Sequence, residues 1–526
     1  MRKLTCIFMV IITLFAACGC DGNNVVSENK KEDKEKTEII TKVPSNDVTN
    51  TINVSVYDVD TFNPLVTGSM SVKEAMKFVY EPLFALDENM NLIPVLADSY
   101  SVSPDGKSID VRLREDVLWH DGSEFGASDV SYTLKAILGG STNCEKLLGY
   151  ISGCSVVDKY VVRINMSKPT PNAAAMLTFP ILKNNTSMLP DVAYKPIGTG
   201  PFAYKGKMSV DRYTLEASDN YYGGKAKLKG VYIDVVPDQR RYHTMFDSGN
   251  IDVCNVNLLE GFEYTLKANV NTNEYISDEL IYIGINHSSA VLSDKNMRKA
   301  LSAFIDREAM EGYALYPGVK ATDTVISPLS AYSFSDDTAL SMDSVKGTEY
   351  IKEAGWIPQT KGYTKKNGVI ENKLSVNVLV NSDNPEDVKI AQKVKEDIVF
   401  NGINVEIQSL NESLYQQRLA AKNYDLYIGR EKMLISQDVS TFLGTGNAFG
   451  YQNPTIDIIM AEAAAETDKE KISELYSQLH DVLSEDMPIV PLAYSKEVTY
   501  MSARIENVSA MGADGFYRDL QKWSIK

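Results

Sequence analysis

The amino-acid sequence predicts a mixed α/β fold made of several lobes. Its 526 residues are too many for one hydrophobic core, so two to four lobes are expected. Runs of alternating apolar and polar residues are repeatedly followed by runs with helical spacing, which is typical of βαβ units in a mostly parallel sheet. Hydrophobic residues make up 44% and charged residues 23% of the chain, the ordinary usage of a globular protein.

The chain is strongly acidic, with a formal net charge of −17. A nucleic-acid partner is not expected, because phosphate neutralisation requires a clustered basic face. The sequence has no Gly-x-Ser-x-Gly elbow, no HExxH motif and no pair of cysteines with zinc-knuckle spacing in its folded part. We therefore expect neither an enzyme nor a bound metal or other cofactor.

The first twenty residues have the features of an export signal. Arg2 and Lys3 precede the apolar run "LTCIFMVIITLFAAC", which is too short for a permanent membrane span but suits a secretory signal. Small residues followed by a cysteine resemble the lipobox of bacterial lipoproteins, in which that cysteine becomes the lipidated N-terminus. Residues 1–17 are thus the predicted signal peptide and Cys18 the predicted lipid attachment site. Cys20 is the alternative, and a plain signal peptide with incidental cysteines is another interpretation.

Residues 18–50 are polar, charged and almost free of large apolar side chains, so they are predicted to be a flexible tether behind the lipid anchor. Three cysteines follow it. Cys144 and Cys154 are candidates for a disulfide that would close a loop of about ten residues. Cys254, in the strand-like "GNIDVCNVN", is expected to be buried as a small hydrophobic residue.

The folded part begins with a strand over 51–57. A helix is predicted within "SVKEAMKFVYEPLF" (71–84), with Ser71 as its N-cap and an apolar face at helical spacing. Two alternating runs joined by Pro104-Asp105-Gly106 predict a hairpin, and "DVSYTLKAIL" (129–138) predicts the next helix. Later segments predict strands at 227–238, 279–286, 373–382, 403–410 and 424–429, and helices at 294–313, 385–402 and 413–423.

Several of these segments resemble one family in the same order along the chain. The stretch from "ADSYSVSPDGKSIDV" to "SDVSYTLKAI" (97–137) is similar to the characteristic region of the large extracellular solute-binding proteins of family 5, which serve peptide, nickel and related ABC importers. Similar matches occur at "TFNPL" (61–65), "VYEPLF" (79–84), "PIGTGPF" (196–202), "SGNIDV" (248–253), "IKEAGW" (351–356), "GYQNPTIDIIM" (450–460) and "LHDVLSEDMPIVPLAYS" (479–495).

The resemblance implies a periplasmic-binding-protein-like two-winged clamp with an additional lobe, of type II or cluster C. Lobe I would take residues 51–84, 199–281 and 490–526, lobe II residues 85–198 and lobe III residues 282–489. A ligand would be enclosed between lobes I and III by hinge closure. The implied protein is a monomeric lipoprotein on the extracytoplasmic face of the cell membrane, or in the periplasm, which passes an oligopeptide-like solute to an ABC permease and ATPase complex. A non-peptide solute such as a metal chelate or a sugar, and a sensor or scaffold lipoprotein, are the alternatives.

The glycines of "PIGTGPF" are predicted to form a lobe crossing. A phosphate-binding loop would need Gly-Lys-Ser/Thr opening a helix, whereas Gly200 is followed by Pro201, which has no N–H, and then by a strand pattern. Crossings need backbone freedom, so Gly198 and Gly200 are predicted hinge residues. Gly284, at the predicted crossing into lobe III, is the third.

The predicted ligand site departs from the pattern of the family. Peptide-binding members commonly carry a tryptophan and then an aspartate between the segments that match 424–429 and 440–453, and this carboxylate pairs with the peptide amine. The sequence here is "REKMLISQD" (430–438), without tryptophan and with Asp438 placed late. Arg430 or Lys432 is expected to bind an anionic group, or else the charges form a solvated loop. Glu431 is a candidate substitute for the amine anchor.

Other predicted ligand contacts come from positions that match the family near its cleft. Each also has a structural interpretation, as a turn, a strand end or a packed side chain. With Arg430, Glu431 and Lys432, the candidate ligand-binding residues are Met433, Thr67, Gly68, Ser69, Asn255, Asn257 and Tyr494.

Overall fold

The computed structural model describes residues 50–140, 142–255, 270–313, 318–334, 337–466, 468–512, 515 and 517–526. The predicted signal peptide, the candidate lipidation sites Cys18 and Cys20, and Asn257 lie outside these residues. The described residues belong to one compact unit. Within them, no helix is both long enough and apolar enough to cross a membrane.

The elements up to residue 255 are mostly strands, interrupted by three α-helices. They are β1 (Thr51–Val56), α1 (Met70–Met76), β2 (Phe84–Leu86), β3 (Leu92–Pro94), β4 (Ala97–Val102), β5 (Ser108–Leu113), α2 (Ala127–Leu138), β6 (Ile151–Asp158), β7 (Val161–Met166), β8 (Phe202–Ser209), β9 (Arg212–Ala217), β10 (Gly230–Val235), α3 (Gln239–Asp247) and β11 (Val253–Asn255).

Helices are more frequent after residue 270. The elements there are β12 (Val270–Ile285), α4 (Lys295–Phe304), α5 (Arg307–Tyr313), β13 (Val319–Ala321), α6 (Asp337–Leu340), α7 (Ser344–Glu353), β14 (Ile357–Pro358), β15 (Tyr363–Asn367), β16 (Ile370–Lys373), β17 (Ser375–Asn381), α8 (Pro385–Phe400), β18 (Asn404–Leu410), α9 (Glu412–Ala420), β19 (Leu426–Lys432), α10 (Ser440–Leu443), α11 (Thr455–Ala465), α12 (Lys469–Asp486), β20 (Ile489–Ser502), β21 (Ile505–Glu506) and β22 (Ser524–Ile525).

Two four-stranded sheets form the amino-terminal half. The first has the order β1-β10-β9-β8, in which only β1 and β10 are parallel. The second is antiparallel throughout, with the order β4-β5-β7-β6. The predicted hairpin is confirmed as β4 and β5, and its turn residue Gly106 takes a positive φ of 65°, which glycine adopts without steric cost.

The largest sheet has the strand order β11-β20-β12-β19-β17-β18, and β13 is paired to β20. The predicted βαβ units are present at one end, where β17 is parallel to β18 and β19 and the connections run through α8 and α9. The pairs of β12 with β19 and with β20 are antiparallel. The pairs of β20 with β11 and β13 are antiparallel too, so the expectation of a mostly parallel sheet is wrong: among the described strands of this sheet, only the two pairs made by β17 are parallel.

Buried apolar side chains follow the predicted lobes only in part. One continuous cluster joins side chains of predicted lobe I, such as Ile52 and Phe202, to side chains of predicted lobe II, such as Trp119. Two further clusters, one around Phe304 and one around Tyr427, lie mainly in predicted lobe III. Since a close-packed common core resists relative motion, we expect predicted lobes I and II to move as one body.

Helix α1 begins two residues earlier than the sequence predicts. Ser69 rather than Ser71 is the N-cap, and its Oγ accepts a hydrogen bond from the amide of Val72 at 3.4 Å. Ser71 lies inside the helix, and its hydroxyl donates to the carbonyl oxygen of Tyr57 at 3.0 Å. The predicted apolar face is correct, since Val72 and Met76 are buried.

The "PIGTGPF" segment forms a close backbone contact with the chain after α1. The amide of Gly200 donates to the carbonyl oxygen of Val79 at 2.9 Å. A Cβ at Gly198 would overlap that same oxygen, and a Cβ at Gly200 would lie 2.8 Å from it. On the other side, His120 Nε2 is 2.8 Å from the carbonyl oxygen of Gly200. The structure thus corrects the predicted hinge role of Gly198 and Gly200: glycine is required here for close packing.

Glu81 lies in the chain after α1, next to the "PIGTGPF" segment, and is buried, with 2% of its surface exposed. The Thr199 hydroxyl donates to Glu81 Oε2 at 2.8 Å, and the hydroxyls of Tyr221 and Tyr222 donate to Oε1 at 2.9 and 2.8 Å. Burial raises the pKa of Glu81 to about 7, although these hydroxyl groups and the charge of Arg114 act in the opposite direction. A carboxyl group therefore titrates near neutral pH at the junction of predicted lobes I and II.

The chain passes between predicted lobes I and III through two long paired strands, β12 and β20. Ile276 lies opposite Lys496, and Leu280 lies opposite Tyr494. Because four steps along β12 match two steps along β20, residues 277–279 form a bulge.

The predicted hinge residue Gly284 lies past this bulge, inside the regular part of β12. It is paired with Tyr427 on one side and with Ile489 on the other. A Cβ at Gly284 would overlap the ring of Tyr427. The structure corrects this prediction as well: Gly284 makes room for an aromatic ring, and the irregular point of the crossing is at residues 277–279.

Replacing Glu81 by glutamine should change how stability depends on pH. The folded protein holds the Glu81 proton up to about pH 7, whereas an exposed glutamate loses it at about pH 4.3. The unfolded state binds fewer protons between these values, so the free energy of unfolding falls as pH rises through this window. Urea unfolding measures the free energy of unfolding at pH 4.5 and at pH 7.5. The decrease between these two pH values should be smaller in Glu81→Gln than in the unmodified protein, by on the order of 3 kcal/mol.

Glu216→Gln is the matched control for this measurement, since Glu216 is an exposed residue of β9. It should keep the pH dependence of the unmodified protein. An equally steep fall in Glu81→Gln would contradict the assignment of this titration to Glu81.

Candidate ligand-binding cavity

A cavity of about 580 Å³ lies where the three predicted lobes meet. Sites for small molecules usually have volumes of about 300–1,000 Å³. A second cavity, of about 640 Å³, is lined by residues 271–273, 501, 505–508, 510 and 526, which all belong to predicted lobe I. Because a clamp closes between lobes, the first cavity is the candidate site.

The first wall of this cavity is one face of α1 with the turns on either side. Its residues within and after the helix have the spacing i, i+3, i+4 and i+7, which places them on the same side of a helix. The wall consists of Lys73, Met76, Lys77 and Tyr80, with Pro64 and Pro82 at its edges.

The two lysines of this wall differ in their partners. Lys77 Nζ is 2.6 Å from Glu74 Oε1 and donates to the carbonyl oxygen of Gly515 at 3.0 Å. Within the described part of the chain Lys73 makes no ion pair, and its ammonium lies 4.0 Å from the sulfur of Met70. Burial and the nearby charge of Lys432 lower the pKa of Lys73.

The second wall comes from predicted lobe II. It contains Asn143, Cys144 and Leu147, together with Met176 and residues 178–180. Asn143 Nδ2 donates to the carbonyl oxygens of Pro64 and Thr67 at 3.0 and 3.1 Å, which fixes this wall to the turn before α1.

The three described cysteines are free thiols, so the disulfide considered for Cys144 and Cys154 is not formed. Cys154 Sγ lies 3.6 Å from the carbonyl oxygen of Ser131 on α2, whereas Cys144 lines the cavity. Burial raises the pKa of Cys144 to about 11, although the charge of Lys73 acts in the opposite direction. Cys254 is fully buried, as the sequence predicts.

The third wall is the end of β19 and the turn after it. Lys432, Met433, Leu434 and Ile435 line the cavity here, so among the described candidates for ligand binding Lys432 and Met433 lie at the cavity. The amide of Met433 donates to the carbonyl oxygen of Asp278 at 2.8 Å. Asp278 itself lines the cavity from the bulge in β12.

Sequence reasoning missed Asp278 and the lysines of α1. The segment "SDE" (277–279) interrupts the alternation of apolar and polar residues before "LIYIGI", and this interruption was the available signal for a bulge. Lys73 and Lys77 occupy the polar face of an amphipathic helix, which is ordinarily a solvent-facing surface.

Arg430 is engaged by three carboxylates from two elements, β12 and α8. Its guanidinium lies 2.8 Å from Glu279 Oε2 and 2.7 Å from Asp387 Oδ1, and it is also ion-paired with Glu386. Ser495 Oγ donates to Glu279 Oε2 at 2.9 Å. The structure therefore corrects both interpretations of Arg430, because the side chain is neither a solvated loop residue nor available to a ligand anion.

The opposite charges of this cluster offset part of the free-energy cost of burying them. Burial disfavours the charge of Arg430, but the three carboxylates raise its pKa. Burial likewise opposes the ionisation of Glu279, yet Arg430 holds the pKa of that carboxyl below its usual value. For Asp387 burial dominates and raises the pKa to about 6. The cluster ties α8 to β12, β19 and β20.

Glu431 lies on the opposite face of β19 from Arg430. It is paired with Leu280 in β12, and its charge acts on the buried hydroxyls of Tyr282 and Tyr427. Glu431 is not among the described residues that line the cavity. Its role as an amine anchor stays a prediction.

The predicted contacts before α1 form a turn. The Thr67 hydroxyl and the Gly68 amide both donate to the carboxylate of Asp60, the latter at 2.8 Å. Ser69 caps α1. These three residues are not among those that line the cavity, and their contacts fix the start of α1. Their role in ligand binding stays a prediction.

Asn255 and Tyr494 also have structural partners. Asn255 is buried at the end of β11, where its amide donates to the Tyr242 hydroxyl at 3.1 Å. Tyr494 is fully buried and donates to the carbonyl oxygen of Val325 at 2.7 Å. Tyr494 lines a small cavity next to Asp278 and Met433. The predicted ligand contacts of Asn255 and Tyr494 stay predictions.

Asp438, the late aspartate of "REKMLISQD", connects predicted lobes II and III. It is 2% exposed, and its carboxylate is 3.2 Å from Lys168 Nζ. Lys168 also donates to the Ser440 hydroxyl at 2.7 Å, and the Tyr150 hydroxyl donates to Thr441 Oγ1 at 2.7 Å. Asp438 thus has an ion-pair partner within the protein.

No group of three or more His, Cys, Asp or Glu side chains in the described ranges is arranged to hold a metal ion. His287, which follows the crossing into predicted lobe III, has its Nε2 2.8 Å from the carbonyl oxygen of Pro488 and packs against Tyr451.

Comparisons with known proteins point to one family. The family model described as "Bacterial extracellular solute-binding proteins, family 5 Middle" matches residues 91–447. The chain is 26% identical over 503 residues to the oligopeptide-binding protein AppA of Bacillus subtilis, a match that covers 89% of this chain and 90% of that protein. It is 23% identical over 501 residues to heme-binding protein A of Haemophilus influenzae, which covers 87% of this chain and 89% of that protein.

Solved structures give the same result for the fold. The nickel ABC transporter structure from Bacillus halodurans matches with a TM-score of 0.72 and 21% identity, over 90% of this chain and 100% of that chain. The fold class predicted from the sequence is confirmed.

Removing the Arg430 charge should destabilise the protein strongly. Arg430→Met keeps an unbranched side chain but leaves three carboxylates together without their partner, and breaking a buried ion pair in this way costs about 3–5 kcal/mol. Arg163→Met is the control, since the pair of Arg163 with Asp110 is largely exposed and such pairs contribute about 0–1 kcal/mol. Equal losses in urea unfolding of the two variants would contradict the structural role assigned to Arg430.

Proposed function

Since the chain belongs to the bacterial extracellular solute-binding proteins, family 5, we propose that it is the lipid-anchored substrate-binding protein of an ABC importer. It captures an oligopeptide-like solute outside the cell membrane and delivers it to a permease and ATPase complex. The observation that carries this proposal is the cavity at the meeting point of α1, residues 143–180 and residues 432–435. A cavity bounded by all three predicted lobes is what a clamp requires.

Capture proceeds by closure of predicted lobe III against predicted lobes I and II. The shared hydrophobic cluster of lobes I and II supports treating them as one body, and lobe III has separate clusters of its own. The two bodies are linked through β12 and β20, whose regular pairing is interrupted at residues 277–279. Bending is expected there, because a bulge is the irregular point in an otherwise continuous ladder.

Asp278 is the proposed partner of the ligand's amine. The family resemblance assigns this role to an aspartate that is missing from residues 430–437, and Asp438 is engaged by Lys168. Asp278 supplies a carboxylate inside the cavity at a point that closure would bring against the ligand. A charge-assisted hydrogen bond from an amine to a carboxylate is among the stronger polar contacts available.

A non-peptide solute is the second candidate. It is favoured by the missing tryptophan and aspartate of "REKMLISQD" and by the similarity to a protein named for binding heme. The two candidates differ in the amine contact, because a metal chelate or a sugar does not need Asp278 as an amine anchor.

The ligand carried by the protein after purification from its native membrane should be a mixture of short peptides. Mass spectrometry of the denatured protein identifies it directly. Addition of such peptides to the emptied protein should raise the melting temperature by mass action and reduce the radius of gyration in solution scattering. One defined non-peptide molecule would favour the second candidate, and an empty cavity that responds to no peptide would contradict transport.

Two single substitutions should distinguish the candidate amine anchors. Asp278→Asn is expected to weaken peptide binding by about tenfold or more, which corresponds to one lost charge-assisted contact. Glu431→Gln is expected to leave the dissociation constant nearly unchanged, since Glu431 lies outside the described cavity lining. Calorimetric titration measures the dissociation constants of both variants. A larger loss of affinity in Glu431→Gln than in Asp278→Asn would indicate that Glu431 is the amine anchor.

A further inference from the structure

We propose that the β15–β16 hairpin (363–373) binds the surface of a membrane that contains anionic lipids, with its apolar tip among the headgroups and its lysines against their phosphates. None of the hairpin residues that the structure describes lines the ligand cavity, so this inference goes beyond the proposed function. The hairpin would give the protein a contact with the bilayer in addition to the proposed lipid anchor.

The tip of the hairpin is apolar and exposed. β15 and β16 pair as far as Asn367 and Ile370, so the turn between them consists of Gly368 and Val369. Gly368 takes a positive φ of 63°, which suits a two-residue hairpin turn. Val369 is 103% exposed and Ile370 is 63% exposed. Neighbouring apolar side chains left open to water mark a surface that contacts a membrane or another protein.

The same segment is basic within an acidic protein. Residues 361–373 contain four lysines and one glutamate, a formal charge of +3, whereas the whole chain carries −17. All four lysines are exposed, and Lys361, Lys366 and Lys373 make no ion pair with any residue that the structure describes. Glu371 lies opposite Lys366 in register, but it offsets only one of the four charges. Positive charge of this kind attracts anionic lipids within about 8 Å of the surface at physiological salt.

One face of the hairpin is fixed to the body of predicted lobe III. Tyr363 is buried, and Lys365 Nζ donates to the carbonyl oxygen of Ala354 at the end of α7, at 2.7 Å. At the base, Gly362 packs closely on Gly402, because a Cβ at Gly362 would lie 2.8 Å from the carbonyl oxygen of Gly402. The hairpin is therefore ordered before it binds, so that binding loses little conformational entropy.

The other face combines lysines with an apolar side chain. Side chains alternate between the two faces of a sheet, so Thr364 and Lys366 lie opposite the face that Tyr363 occupies. Lys373 and Ile357 are both paired with Thr364 and share this outer face. Ile357 is 55% exposed. Lysines beside exposed apolar side chains are the composition of segments that lie in a membrane interface.

Protection of a sheet edge explains only the lysines. β16 is an edge strand of its three-stranded sheet, and lysines on such a strand prevent pairing with another chain. Exposed Val369 and Ile357 do not serve that role, since apolar surface promotes association. A bilayer surface accounts for both features, because headgroup phosphates bind ammonium groups and the layer beneath them accepts apolar side chains.

Hydrogen exchange of the full protein on vesicles tests this contact. The protein purified from its native membrane is reconstituted with vesicles of phosphatidylcholine alone, or of phosphatidylcholine and phosphatidylglycerol in equal amounts. Any anchor is then present in both samples. We expect the amides of the turn and of β16 to exchange at least about fivefold more slowly on the anionic vesicles, a factor that one lysine near such a surface supplies. High salt should remove this protection, because it screens the attraction.

Two hairpin variants assign the protection to its charges and to its tip. Lys366→Gln combined with Lys373→Gln should abolish it, and Val369→Ser should reduce it at least about threefold, because an apolar side chain is lost from the headgroup layer. Val369→Trp supplies a second measurement, since its fluorescence emission should move to shorter wavelength on the anionic vesicles only.

Matched controls remove the same groups elsewhere. Lys107→Gln combined with Lys469→Gln makes the same change in net charge at two exposed positions. Leu189→Ser removes an apolar side chain that is 73% exposed. Both controls should keep the protection of the hairpin. All the substituted positions are exposed, so the melting temperatures should stay close to that of the unmodified protein.

Three results would overturn the lipid contact. The first is equal exchange of the hairpin on the two kinds of vesicle, and the second is protection that persists in both hairpin variants. The third is protection that appears only when the permease and ATPase complex is also in the vesicles, which would assign the hairpin to a protein partner. The affinity of the cavity for peptides is measured separately, so none of these results decides the proposed function.

Discussion

The cavity depends on the bulge at residues 277–279 of β12. On either side of it, β12 and β20 keep their antiparallel pairing, so the irregularity is confined to one short segment. Consecutive residues of this segment take different roles: Asp278 lines the cavity and Glu279 pairs with Arg430. The carbonyl oxygen of Asp278 also accepts the amide of Met433. One local departure from strand geometry therefore places a cavity carboxylate, anchors α8 through Arg430 and fixes the wall at residues 432–435.

The two crossings between the predicted lobes differ in stiffness. At the first, Gly198 and Gly200 are packed against the Val79 backbone and Glu81 is enclosed by three hydroxyl groups, so bending there would break several short contacts at once. The second crossing consists of the paired strands β12 and β20, whose regular pairing is interrupted at the bulge of residues 277–279. Predicted lobes II and III are also linked by the pair of Lys168 and Asp438, in which the lysine is half-exposed but the carboxylate is buried, so separating them would leave a buried charge without its partner.

Most secondary-structure elements follow from the sequence, because alternation and helical spacing are local properties. The β4–β5 hairpin, which turns at Gly106, and the βαβ units around α8 are examples. The segments "REKMLISQD" and "PIGTGPF" could not be interpreted from local patterns, because their contacts are with residues far away in the chain. Arg430 has the sequence context of an exposed loop, yet its partners Glu279 and Asp387 lie 151 and 43 positions away in the chain. The role of Gly198 depends on a carbonyl oxygen of Val79, more than a hundred residues earlier. Lys73 has a solvent-facing position in its own helix and reaches the cavity because another lobe covers it.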